Sequence, residues 1–129
     1  MSAREAVEAV LRELHAARLA GDLTRLCALF DPQAQLRIVG TSDGKPISVE
    51  ARGIDQIRTW LGMLVRTFRL SQYECLATLV DGERGSVHWR VTIQSRITGQ
   101  RVVTELIDLI DTRSGRIVRH TEFFVPGGV

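Results

Sequence analysis

The chain has 129 residues, of which 44% are hydrophobic and 25% charged, with a formal net charge of +2. That length suits one domain, residues 1–129, in the balance of a soluble globular protein that buries about two-thirds of its unfolded surface. The charge is too small and the basic residues too scattered for a nucleic-acid footprint, and apolar runs of only a few residues exclude a membrane-spanning helix.

Met1-Ser2-Ala3-Arg4-Glu5 runs into a charged helical pattern rather than an apolar leader. Ser2 with Glu5 three residues on makes a capping-box start. Val7, Val10, Leu11, Leu14 and Arg18 recur at helical spacing until Gly21 stops the helix. Asp22 caps a shorter second helix with the stripe Leu23, Leu26, Cys27 and Phe30, ending before Pro32. Ala34 to Val39 alternates as a strand, with Leu36 and Ile38 on one face and Gln35 and Arg37 on the other. The turn-rich stretch from Gly40 through Asp43 to Pro46 leads to a short strand from Ile47 to Ala51.

In the third helix Ile54, Ile57, Leu61, Leu64, Val65 and Phe68 make one apolar stripe, flanked by Trp60 and Met63. Beyond it the pattern changes to alternation. Strands are expected at about 72–81, 85–97, 101–111 and 116–125, parted by Asp81-Gly82-Glu83, Thr98-Gly99 and Arg113-Ser114-Gly115. In the second of these, Val87, Trp89, Val91 and Ile93 face the helices, while His88, Arg90, Thr92, Gln94 and Arg96 face away. The order ααββαββββ predicts an α+β fold: three N-terminal helices packed on a curved, mainly antiparallel sheet around an apolar pocket. Cys27 and Cys75 lie in separate settings, neither at metal-ligand spacing from a second Cys or a His. They are expected as reduced thiols of a cytoplasmic protein, with no metal and no organic cofactor.

This order resembles the nuclear transport factor 2-like superfamily, in its SnoaL-like, ketosteroid isomerase-like branch. The phrases that carry the likeness are Leu19-Ala20-Gly21-Asp22 with Ala28-Leu29-Phe30, Ala51-Arg52-Gly53-Ile54-Asp55-Gln56-Ile57, and Gly115 through Phe124. The resemblance implies a cone whose mouth opens between the helices and the concave sheet face, a small apolar or amphipathic ligand, and frequent dimerisation. It marks the fold more than the activity, because the superfamily mixes enzymes with binding and assembly domains. Where ketosteroid isomerases carry an oxyanion tyrosine and a general-base aspartate, this chain has Leu14 and Ile38; their third member, a carboxylic acid on the penultimate strand, matches Asp108. Where limonene epoxide hydrolase carries an arginine and an aspartate two apart, this chain has Trp89 and Val91; its last aspartate falls on Glu122.

The last hairpin can be registered independently. Gly115 after Thr112-Arg113-Ser114 suits a three-residue loop. That loop sets Thr112 opposite Arg116, Ile110 opposite Val118, Asp108 opposite His120 and Leu106 opposite Glu122. A two-residue turn at Arg113-Ser114 would instead pair Asp108 with Arg119 as a surface salt bridge.

Two arrangements stay open. In one, Asp108 orients His120 as general acid or base, with Glu122 a second proton carrier, inside a pocket of Leu14, Arg18, Leu36, Ile38, Trp60, Met63, Trp89, Val91, Leu106 and Phe124. In the other, Asp108 and His120 satisfy each other inside the sheet and Glu122 pairs with an arginine such as Arg18. Arg18 is read either as a helix-end side chain or as the partner of a ligand carboxylate, and His15 either as half-exposed or as a donor at the pocket rim. The outer sheet face, with Val103, Ile107, Leu109, Ile117 and Phe123 among Glu105, Arg119 and Thr121, is apolar enough to predict a homodimer. The functional expectation is a small-molecule-binding domain with acid/base chemistry (isomerisation, cyclisation or hydration), or a non-catalytic binding or assembly domain of the same fold.

Overall fold

The structure, a computed structural model, describes residues 2–42 and 44–125; Met1, and Asp43 in the expected turn, lie outside the described residues. Helix α1 spans Ala3–Ala20 and α2 spans Leu23–Cys27. Ser2 Oγ accepts the Glu5 N–H at 3.1 Å and Asp22 accepts the Arg25 N–H at 3.1 Å, so both starts are capped as the sequence predicts. Strands β1 (Phe30–Ser42) and β2 (Lys45–Arg52) precede α3 (Ile54–Thr67); β3 (Phe68–Asp81), β4 (Arg84–Ser95), β5 (Arg101–Arg113) and β6 (Arg116–Phe124) follow. None of the described helices is long and apolar enough to cross a membrane.

Strand β1 runs on to Ser42 where the sequence predicts a turn from Gly40, because Gly40 to Ser42 pair with Lys45 to Ile47, and β4 ends at Ser95 rather than at residue 97. Two further boundaries differ because a pairing partner outweighs local helical spacing. Phe30 opens β1 rather than closing α2, because it pairs with Ile117 of β6; the ladder is irregular between Phe30 and Gln35, where Pro32 is tolerated. Phe68 opens β3 rather than closing α3, opposite Ser95.

The strands lie in the order β2-β1-β6-β5-β4-β3, forming one curved sheet. All neighbours are antiparallel except β1 and β6, which are parallel. The inner face buries Leu36, Val87, Trp89, Val91, Leu106 and Ile110 against Val7, Leu11 and Leu14 of α1 and Ile57 and Leu61 of α3. Each such side chain contributes about 1.5–3 kcal/mol relative to exposure. Helix α1 approaches β4 at Gly85, where a Cβ would stand 2.7 Å from Val7 Cγ1 and 3.1 Å from Leu11 Cδ1. On the edge strand β3, irregularities between Ser71 and Glu74 and between Cys75 and Ala77, with Gln72 at φ 53°, bend the segment that carries Tyr73.

The β5–β6 hairpin corrects the expected register. Its loop is the two residues Ser114 and Gly115, at φ 53° and 76°, as in the type I′ turn that matches strand twist. Arg113 pairs with Arg116 and Thr112 with Ile117, but Asp111 pairs with Arg119, leaving Val118 as an extra residue. Beyond this bulge Ile110 faces His120, Asp108 faces Glu122 and Leu106 faces Phe124. Neither the three-residue loop nor the Arg113-Ser114 turn is formed. Continued unbroken from Arg113 and Arg116, the ladder would have set Asp108 opposite Thr121, with His120 and Glu122 on the other face. Val118 reverses that parity. It also turns Ile117 inward, where it is 0% exposed, so Ile117 is no part of the outer face that the sequence assigned it to.

Candidate functional site

An apolar cavity of about 650 Å³ opens between α3, the β1–β2 hairpin and the concave sheet face. Of the expected pocket residues, Arg18, Ile38, Trp60, Met63, Leu106, Phe124 and Glu122 line it. Leu14, Leu36, Trp89, Val91, Asp108 and His120 do not; they are buried in the closed interior beside it. Met63, Phe68 and Val125 are exposed and form the outer end, whereas Ile38, Thr104, Leu106 and Glu122 are buried and form the inner end.

Among the described residues lining the cavity, Arg18 and Glu122 are the only charged ones. Arg18 Nη1–H donates to Glu122 Oε2 at 2.8 Å, with the two side chains 9% and 6% exposed. The guanidinium carbon lies 5.9 Å from the Trp89 ring centroid. Burial works against the charge of Arg18, but the Glu122 carboxylate, by its field and its hydrogen bond, outweighs burial and holds the guanidinium above its ordinary range. Four guanidinium N–H groups and one carboxylate oxygen are left over from this single bond.

The interior cluster is organised around Asp108, which is 1% exposed. Its Oδ2 accepts the Trp89 indole N–H at 2.8 Å and lies 2.8 Å from His15 Nε2; its Oδ1 lies 2.8 Å from His120 Nε2. Burial opposes ionisation of Asp108, yet hydrogen bonds from His120 and His15 prevail and keep its carboxyl well below the usual carboxylate range. An ionised carboxylate can only accept, so both imidazoles donate to it through Nε2–H. His15 Nδ1 lies 2.7 Å from the Tyr73 hydroxyl, whose pKa is pushed up to about 12 by burial; the phenol therefore keeps its proton and donates it. His120 Nδ1 is buried with no partner among the described residues.

Asp108, His120 and Glu122 each offer a ligand atom within 4.8 Å of the others, a spacing a cation could bridge. The two carboxylates already have partners here: Asp108 takes three ring N–H groups and Glu122 takes Arg18. A metal ion there would compete with Arg18 for Glu122 and with three ring N–H groups for Asp108.

Helix α1 supplies a partner to each carboxylate, Arg18 to Glu122 and His15 to Asp108. The Asp108–His120 contact is common to both arrangements open in the sequence, and the Glu122–Arg18 pair belongs to the second. His15, at 4% exposure, is neither half-exposed nor at the rim. The signal for it was its place on the helical stripe, four residues after Leu11 and three before Arg18. Tyr73 gave no such signal, because only the two irregularities of β3 bring it to His15. His88 faces outward, with Nε2 2.6 Å from Glu105.

Residues 11–120 match the family described as SnoaL-like domain. No curated protein matches the chain in sequence. Among solved structures, a Bacillus subtilis protein provisionally named an isomerase superposes with a TM-score of 0.84 at 21% identity, covering 96% of this chain and 89% of that one. A Xanthomonas campestris pv. campestris protein provisionally named a polyketide cyclase gives 0.78 at 18% identity, over 95% of this chain and 92% of that one. An LEH-like epoxide hydrolase of M. tuberculosis gives 0.72 at 14% identity, over 94% and 84%. At these identities the likeness establishes the fold and leaves the reaction to be argued from the site.

Proposed function

The chain belongs to the SnoaL-like domain family, and we propose that residues 1–129 form one such domain, which binds a small, largely apolar carbonyl compound and moves a proton on it. One observation carries this reading: among the described residues, the cavity of about 650 Å³ has a single ion pair, Arg18 with Glu122, on an otherwise uncharged wall. An apolar wall favours a hydrophobic body by roughly 25 cal/mol per Å² removed from water. The free oxygen of Glu122 suits abstraction of an acidic C–H next to a carbonyl. The spare N–H groups of Arg18 suit the oxygen on which the charge then develops. Glu122, the expected second proton carrier, thus becomes the group that meets the ligand; Asp108 and His120 act behind it.

The test is hydrogen–deuterium exchange at the α-carbon of 2-tetralone in D₂O, followed by proton NMR. The wild-type protein accelerates it, and Glu122→Gln removes the acceleration while leaving tetralone bound. Uncatalysed exchange with bound tetralone would favour the second reading, a non-catalytic carrier, which the existing Arg18–Glu122 bond supports. Absence of binding would end both.

A homodimer through the outer sheet face is proposed alongside, supported by exposed Val103, Ile107, Leu109 and Phe123. A monomeric mass by light scattering at tens of micromolar protein would refute it. A cytoplasmic setting is proposed on the two free thiols, Cys27 and Cys75.

A further inference from the structure

Resting on the proton-transfer reading, we infer that His15 and Tyr73 are positioning residues: they hold Asp108 so that His120 keeps its proton on Nε2 and a bare lone pair on Nδ1, an internal proton acceptor behind Glu122. Neither residue lines the cavity, so neither touches the ligand.

The Asp108 carboxylate only accepts, so a neutral His15 carries its proton on Nε2, 2.8 Å from Oδ2, and the Tyr73 hydroxyl 2.7 Å from Nδ1 donates to the nitrogen left bare. The His15 N–H and the Trp89 indole N–H, both 2.8 Å from Oδ2, fill one oxygen of Asp108. The other oxygen is left to His120 Nε2 at 2.8 Å, so a neutral His120 must carry its single proton there. Its Nδ1 is then an unprotonated nitrogen, and this is the one buried side-chain atom among the described residues without a partner. The rings pack against aromatic neighbours, tilted or edge-on: His15 and Trp89 centroids lie 4.5 Å apart, His15 and Tyr73 5.3 Å, and Phe30 and His120 5.9 Å.

A carboxylate on one imidazole nitrogen makes the other a better base and balances the imidazolium once formed. Glu122 takes the α-proton as the C–H electron pair moves to the carbonyl oxygen beside Arg18. The carboxylic acid so formed hands its proton to His120 Nδ1, and Asp108 balances the cation. Return of the proton to carbon restores every group. A ring nitrogen of His120 and a carboxylate oxygen of Glu122 lie within 4.8 Å of each other.

The experiment is imidazole nitrogen-15 NMR on the ligand-free protein, paired with tetralone exchange kinetics. Wild-type His120 should show one tautomer, protonated at Nε2. Tyr73→Phe and His15→Leu should each let His120 populate the other tautomer and lower kcat by roughly tenfold with KM unchanged, the scale of an outer partner of an active imidazole. His15→Gln keeps an N–H toward Asp108 and should restore both readouts. His120 protonated at Nδ1 in the wild type, or an unshifted tautomer in Tyr73→Phe and His15→Leu, overturns the inference. A wild-type protein that exchanges no tetralone instead overturns the proton-transfer reading, while the tautomer result still decides whether Asp108 is held this way.

Discussion

Two neighbouring regions of the same concave sheet face differ in what α1 does to them. Toward α3 the sheet walls an open cavity, and the carboxylate there, Glu122, has one partner and unspent hydrogen-bonding capacity on both sides of the pair. Beneath α1 the sheet is covered, and the carboxylate there, Asp108, receives three ring N–H groups. Both regions use an acid of the β5–β6 hairpin and a basic residue of α1, so residue type does not separate them. Covering does. A group whose hydrogen bonds are all made inside the protein holds structure, and a group left with spare donors or acceptors at a cavity wall is available to a ligand.

The hardest blow to this contrast is removal of Asp108. Asp108→Ala should cost about 3–5 kcal/mol by urea denaturation, because three buried donors lose their acceptor together. The same site sets an acid limit. Its carboxyl is depressed in the folded state, so the native protein binds fewer protons than the unfolded chain. Its stabilisation is therefore complete above the unfolded carboxylate value of about 3.9 and is lost as pH falls below it. Asp108→Asn should flatten that part of the stability–pH curve; an unchanged slope would show that Asp108 is not the group responsible.

Lifting the cover is the next largest change. Gly85→Val puts atoms where Val7 and Leu11 pack and should cost about 1–3 kcal/mol, read as a fall in the denaturation midpoint. Protection of the α1 amides should fall with it. On the cavity side, Glu122→Gln should cost only about 1–2 kcal/mol, because its arginine partner can turn to water in the cavity, yet it should remove tetralone exchange. A stability loss as large as that of Asp108→Ala would mean that the pair is structural after all. The smallest effect belongs to the exposed outer pairs: Glu74→Ala, which breaks the 3.1 Å contact with Arg90, should change stability by no more than about 1 kcal/mol.

Much of the scaffold was legible because it follows from periodicity. The stripes of α1 and α3 and the alternation of β4 and β5 each reflect one buried face, and a buried face is written in every second, third or fourth residue. The β5–β6 register was not. It depends on a left-handed Ser114, which no local rule demands, and on one unpaired residue, Val118, whose cost is met by contacts many residues away. The faces of Asp108, His120 and Glu122 were still read together because two offsets compensate: the loop is shorter than expected and the bulge restores the alternation. The division between cavity and closed cluster was illegible for a related reason. Whether His120 or Glu122 meets open space depends on the depth to which α1 and α3 settle, and periodicity carries only direction.

The last of the described strands, β6, lies between β1 and β5, in the middle of the sheet. A ribosome emitting this chain therefore releases two incomplete half-sheets, β2-β1 and β5-β4-β3, which nothing joins until residues 116–124 emerge. Contacts of such long sequence separation form slowly, and the open edges of β1 and β5 are exposed to strangers in the meantime. Products truncated before Arg116 are therefore expected to aggregate more readily than the chain that carries β6.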